Sequence, residues 1–172
     1  ELSIARETLN EDLIQKSEYY NGVSVNVEAH PWTFPQWTEL RINPVIWTEL
    51  NDVKSQISDK DENISEESLV AFDISFIYIL SGWEEIEVQP KNGDWVKVVF
   101  NYENNEKLSD ADTNEEQEIK VFHIDDKDDN GVGEVKDVTN RVESEEEWIA
   151  VAKAESFSIY AVVTVELDLE PI

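Results

Sequence analysis

The sequence predicts an all-β fold, mainly an antiparallel β-sandwich, with one or two short helices. Three observations carry that prediction. Apolar residues rich in Val, Ile, Trp, Tyr and Phe recur with a period of two, which suits a pleated, half-buried surface. Three of the five glycines follow Asn, as Asn21-Gly22, Asn92-Gly93 and Asn130-Gly131. Asn-Gly is the strongest short hairpin signal, because a type I′ turn needs positive φ at both central residues. Finally, the apolar segments are short and alternate with polar or turn residues, the pattern of a sandwich or barrel.

Taken in order, residues 1–20 stand apart. Ile4, Leu9, Leu13 and Ile14 recur at roughly helical spacing, which reads as a short amphipathic helix or an irregular lead-in. A single sandwich domain then runs from 21 to 168, with a helical and polar insertion near 48–68. Val23, Val25 and Val27 alternate with polar residues as a strand. Pro31 and Pro35 break it, since proline cannot donate to a ladder. Glu39 to Ile46 is the next strand, with a bend or sheet edge at Asn43-Pro44.

Thr48 offers a cap for a helix in which Leu50, Val53 and Ile57 recur at spacings of three and four. The polar stretch from Ser58 to Ser68 reads as a loop or second short helix. Leu69 to Leu80 is a central strand with Val70, Phe72, Ile74, Phe76 and Tyr78 on one face. Further strands follow at Glu85 to Val88, Asp94 to Tyr102, Glu118 to Ile124, Gly133 to Val138 and Glu147 to Val151. Phe157 to Leu167 is the last, with Phe157, Ile159, Ala161, Val163, Val165 and Leu167 on one face. Tyr102 to Gln117 is an acidic surface loop.

Composition bounds the function classes. The chain has 172 residues, long enough to bury a core without disulfides. Its net charge of −27 excludes nucleic acid, whose binding requires Lys and Arg to displace counterions, and anionic membrane surfaces. Cationic partners and Ca²⁺ stay open. With no cysteine, thiol chemistry and Cys-ligated zinc are excluded. No signal peptide, lipidation motif or membrane-spanning apolar run is present, so a secreted parent protein would carry this chain as one piece.

Two groups of residues are candidates for binding. Asp126-Lys127-Asp128-Asp129-Asn130-Gly131 places oxygen ligands at positions 1, 3 and 5 and Gly at 6. Glu134 at 9 and Asp137 at 12 complete a pattern close to a Ca²⁺ loop. The candidate metal ligands are therefore Asp126, Asp128, Asn130, Glu134 and Asp137. An acidic Asn-Gly hairpin joining Val121–Ile124 to Glu134–Val138, with no ion bound, fits the same residues. Among the tryptophans, Trp95, Trp32 and Trp37 are candidates for stacking on sugar rings, whereas Trp47, Trp83 and Trp148 read as structural. Adjacent carboxylates are abundant, but with 40 acids pairs arise by chance. No catalytic cofactor is expected.

Several segments bear a family resemblance. Val23-Ser24-Val25-Asn26-Val27, followed by Thr33-Phe34-Pro35-Gln36-Trp37-Thr38-Glu39-Leu40, resembles the opening of ZU5-like domains. Val70 to Phe76, Ile86 to Pro90, Val96 to Val98, Val121 to Asp126 and Ser156 to Val163 resemble, in order, a β-rich module of surface-anchored proteins of Gram-positive bacteria. Trp37 and Trp83 depart from the pattern, standing where such modules usually carry Gly.

The resemblance implies a non-catalytic, extracellular, cell-wall-associated spacer or adhesin module. Its partners would be neighbouring domains of the same protein and a glycan or host protein, without membrane insertion. A carbohydrate-binding sandwich, stabilised by Ca²⁺, is the alternative. Some ZU5-like domains cleave themselves within His-Phe-Ser. Here the motif reads Ser156-Phe157-Ser158, so the activating His is absent from its expected position.

Overall fold

The computed structural model describes residues 11–90, 94–102, 117–124, 135–140, 149–154 and 157–166. Two antiparallel sheets face each other, and one helix covers the far side of the second. The expected all-β sandwich with short helical elements is the architecture found.

The first sheet has the order β1-β2-β6-β9. It comprises β1 (Ile14–Tyr20), β2 (Val23–Ala29), β6 (Val96–Tyr102) and β9 (Ile149–Ala154). Val23, Val25, Val27 and Ala29 of β2 are fully buried, as are Val96, Val98 and Phe100 of β6. Their period of two puts one residue in every pair on the core side.

The second sheet runs β3-β4-β10-β7-β8, with β5 also paired to β4. Here β3 is Glu39–Pro44, β4 Val70–Ile79, β5 Glu85–Val88, β7 Gln117–Ile124, β8 Val135–Asp137 and β10 Ile159–Glu166. Pro44 closes β3, an edge strand, where its missing N–H costs no ladder bond.

The helix α1 (Trp47–Lys60) buries Val53 and Ile57 on the outer face of the second sheet, with Leu50 beside them. Thr48 does not cap it. The helix starts one residue earlier, and Ile46 holds the cap position without a side-chain bond. A short 3₁₀ turn, Glu66–Ser68, leads into β4.

The structure corrects the reading of residues 14–20, which form a strand and not a helix or irregular lead-in. All seven pair in register with β2, from Ile14↔Ala29 to Tyr20↔Val23. The connecting residues Asn21 (φ 51°) and Gly22 (φ 87°) are both left-handed, as a type I′ hairpin demands. Helical spacing was outweighed by a tight turn that delivers the chain onto a sheet edge. Asn92 and Gly93 lie outside the described residues, but the flanking strands β5 and β6 belong to different sheets and do not pair. Asn130 and Gly131 also lie outside the described residues. The strands on either side of them, β7 and β8, do pair, with Ile124 opposite Val135.

The last strand also differs from expectation. Ile159, Ala161, Val163 and Val165 share the helix-covered face. Phe157 does not join them: its ring enters the sandwich core, 4.8 Å from Phe76 and 5.9 Å from Tyr160. The side-chain phase therefore changes between Phe157 and Ile159, just before the strand begins. Phe34, from the proline-marked loop, stacks on Phe76 at 3.9 Å and is fully buried.

One buried polar knot joins the layers. Ser68 Oγ accepts the Thr164 amide (2.8 Å) and Thr164 hydroxyl (2.9 Å) and donates to the Ser65 carbonyl (2.7 Å). Tyr102, from the opposite sheet, donates its hydroxyl to the Ser68 carbonyl at 2.8 Å. Burial pushes the Tyr102 phenol far above its usual range, outweighing that bond, so it remains a neutral donor.

Two stability outcomes follow. Phe76→Ala, which empties a site against both Phe34 and Phe157, is expected to destabilise by about 3–5 kcal/mol in chemical denaturation. Ser68→Ala leaves the buried Thr164 amide without its partner and is expected to cost about 1–3 kcal/mol. A neutral Ser68→Ala would show that the knot does not hold the layers.

Candidate functional site

Among the described residues, the chemistry-bearing side chains gather in three places. The first is the end of the sandwich where β7 and β10 run side by side. His123 on β7 is buried, and its ring stacks on Tyr160 at 4.3 Å with only 10° between planes. Its Nε2 lies 2.9 Å from Ser158 Oγ. The two residues are 35 apart in sequence, and antiparallel register brings them together, with His123 opposite Tyr160. Sequence reasoning missed this pair because it sought the histidine next to Phe157-Ser158. No local signal points to position 123.

The hydrogen bonding decides what the pair can do. The Ser158 hydroxyl donates to the Ile124 carbonyl at 2.6 Å. A serine hydroxyl has one proton, so His123 Nε2 must carry a hydrogen and donate to Oγ. A base that activates serine needs the opposite tautomer, with a bare nitrogen facing the hydroxyl. The neighbouring backbone is also tied down. The Phe157 amide donates to Gln89 Oε1 (2.8 Å), and the Ser158 carbonyl accepts the Ile74 amide (2.9 Å). The arrangement is that of a structural clamp closing the end of β10 onto β7 and β4.

The second place is the junction of α1 with the second sheet. Asp61, just past the end of the helix, accepts Lys120 Nζ at 3.0 Å and the Asn63 amide at 3.0 Å. Lys120 Nζ also lies 3.9 Å from Asp137. Burial works to raise the Asp61 carboxyl, but the Asn63 amide and the Lys120 ammonium outweigh it and hold it below the usual range. Of the five candidate Ca²⁺ ligands, Asp126, Asp128, Asn130 and Glu134 lie outside the described residues. Asp137 is described. Its Oδ1 accepts the amide (3.0 Å) and hydroxyl (2.7 Å) of Thr139, which fastens the end of β8. Among the described residues no cluster of three or more His, Asp or Glu is arranged to hold a metal ion.

The third place is the outer side of the first sheet. Trp95 precedes β6 and is half-buried. Lys153 Nζ sits 4.8 Å above its ring, and His30 meets it edge-on at 5.4 Å. Trp32 and Trp37, the other two stacking candidates, are not gathered with it by any ring contact. They are 54% and 82% exposed. Trp47 and Trp83, expected to be structural, are instead 81% and 85% exposed. Trp148 lies outside the described residues.

No protein-family model matches this chain, and neither a curated protein nor a solved structure shows significant similarity to it.

The Asp61 ion pair has a pH signature. A carboxyl with a depressed folded pKa contributes stability above its unfolded pKa, near pH 4, and that contribution fades as pH falls through the lower folded value. Asp61→Asn is expected to lose about 0.5–1 kcal/mol at pH 7. Its stability should also fall less steeply than that of the parent below pH 4, as read from denaturation midpoints against pH. Equal slopes would show that the pair contributes nothing.

Proposed function

We propose that this chain is a non-catalytic, extracellular structural or interaction module of a bacterial cell-surface protein, serving as a spacer or adhesin domain. The observation that carries this reading is where the reactive side chains are committed. Ser158 and His123 close a strand end, Ser68, Thr164 and Tyr102 bind the layers, and Asp61 and Lys120 hold the helix. In each case the group with chemical potential is engaged in architecture. The resemblance to ZU5-like modules of Gram-positive surface proteins supports the same reading. So does the strongly acidic composition, which keeps a domain soluble and resists self-association. Neighbouring domains of the parent protein are the proposed partners.

A carbohydrate-binding role, with or without Ca²⁺ in the 126–137 loop, is the second reading, and Trp95 favours it. Its ring lies on the sheet surface beside a cation, the setting in which aromatics stack on sugars. One face already receives Lys153, so a sugar would need the other.

Two measurements separate these readings. Intact mass spectrometry is expected to find one uncut chain after prolonged incubation; fragments ending at Phe157 would overturn the non-catalytic reading. A glycan array with and without Ca²⁺ is expected to be blank, and binding lost on Trp95→Ala would establish the second reading instead.

A further inference from the structure

Among the described residues, five that are not glycine have positive φ, and four of them are tryptophans. These are Trp32 (71°), Trp37 (73°), Trp47 (59°) and Trp83 (70°); the fifth is Asn21. Positive φ is uncommon outside glycine and, where it occurs, concentrates in Asn, Asp and His. A bulky side chain there places Cβ against the backbone carbonyl. The described chain has only one other tryptophan, Trp95, so this conformation is the rule for the residue type here and not an accident of one loop.

Three of the four stand at turn positions that select glycine. In His30-Pro31-Trp32-Thr33 proline is second and the left-handed residue third, and the Thr33 hydroxyl donates to the His30 carbonyl at 2.8 Å. In Pro35-Gln36-Trp37-Thr38 the Thr38 amide closes the turn on the Pro35 carbonyl at 3.2 Å, and the third residue is again left-handed. Both are the type II arrangement, whose third residue is favoured as glycine, or Asn, because it needs positive φ. Between β4 and β5, Ser81-Gly82-Trp83 forms a three-residue hairpin loop bounded by the Leu80 amide on the Glu84 carbonyl at 2.7 Å. Gly82 (93°) and Trp83 (70°) both have positive φ, and Trp83 takes it just before the returning strand, where glycine is favoured. Trp47 takes the same conformation at the first residue of α1.

The rings offer no compensation. All four are more than half exposed, and none makes a ring contact or side-chain hydrogen bond. Trp95 is the contrast, with ordinary backbone, a half-buried ring and both a cation and a histidine against it.

We infer that positions 32, 37, 47 and 83 are glycine positions, and that the protein as its native host makes it carries glycine at all four. One codon accounts for the set. UGA lies one base from the tryptophan codon UGG and one base from the glycine codon GGA. A host that reads UGA as glycine produces from this gene a chain with glycine wherever a UGA-as-tryptophan code places tryptophan. The chain with four exposed tryptophans and the chain with four turn glycines are then one gene read under two codes. The inference is independent of the proposed surface role, but it removes Trp32 and Trp37 from any sugar-stacking platform.

The test reads the gene and the protein separately. The codons at 32, 37, 47 and 83 are expected to be UGA, and that of Trp95 to be UGG; UGG at the four positions overturns the inference. Peptide masses of the protein purified from its host are expected to show glycine at all four sites, and tryptophan there overturns it. In a recombinant chain, the combined Trp32→Gly, Trp37→Gly, Trp47→Gly and Trp83→Gly variant is expected to raise Tm by roughly 5–10 °C. Trp95→Gly, the control, should lower it. A quadruple variant that melts below the parent, or loses binding to a glycan that the parent binds, means the tryptophans are functional and overturns the inference.

Discussion

The centre of the second sheet, around β10, is buried on both faces, and the rest of the structure answers to that constraint. Along β10, Tyr160 and Val162 face the first sheet, while Ala161, Val163 and Val165 face the helix. β4 divides in the same way at its start, with Phe72, Ile74 and Phe76 in the sandwich and Ala71 in the helix-side cluster, while Asp73 farther along that face is exposed. A strand with apolar residues on both sides is unstable in water unless both are covered, since each fully buried large side chain is worth roughly 1.5–3 kcal/mol. The first sheet supplies one cover. The insertion between β3 and β4 supplies the other, and it is helical because Leu50, Val53 and Ile57 form a stripe on one side only.

Polar groups inside this three-layer body are few and fully engaged. Thr33, Ser68, His123 and Thr164 are the buried polar residues described, and among the described residues no buried side-chain polar atom lacks a hydrogen bond. An unpaired group there would cost its desolvation, so each is placed where it can tie one layer or strand end to another. The charge, by contrast, lies outside: none of the described Asp, Glu, Lys or Arg residues is buried. The described carboxylates lie on solvated surface, where salt screens the mutual repulsion that a net charge of −27 brings. Arg41, bridging Glu39 and Glu85 across the β3-β4-β5 strands, offsets some of it locally.

The backbone strain at the exposed tryptophans differs in kind from this economy. Elsewhere each departure from the bland choice is repaid by a contact. Asn21 is left-handed because the hairpin needs it, and His123 is buried because Tyr160 and Ser158 receive it. The four left-handed tryptophans stand outside that pattern, and glycine restores it without altering a strand, a register or a buried residue.

Much of the fold was legible in the sequence because burial imposes periodicity. The alternation in β2, β4 and β6 and the stripe of α1 follow from which side meets the core, and a side chain's direction is set by its own backbone. β1 was not legible. Its alternation is weak, since an edge strand with a largely exposed face carries little apolar pattern, and only the Asn21-Gly22 turn announced it. The candidate sites were less legible still. His123 reaches Ser158, Lys120 reaches Asp61 and Tyr102 reaches Ser68 across separations of 35, 59 and 34 residues. Sequence by itself determined fold class, the phase of β2, β4 and β6, the helix and the acidic composition, all products of local chemistry. Only the tertiary structure decided which distant polar groups meet, where Phe157 changes face and which tryptophans stand in glycine's conformation. Those outcomes depend on register and turn geometry, to which chain-local periodicity is blind.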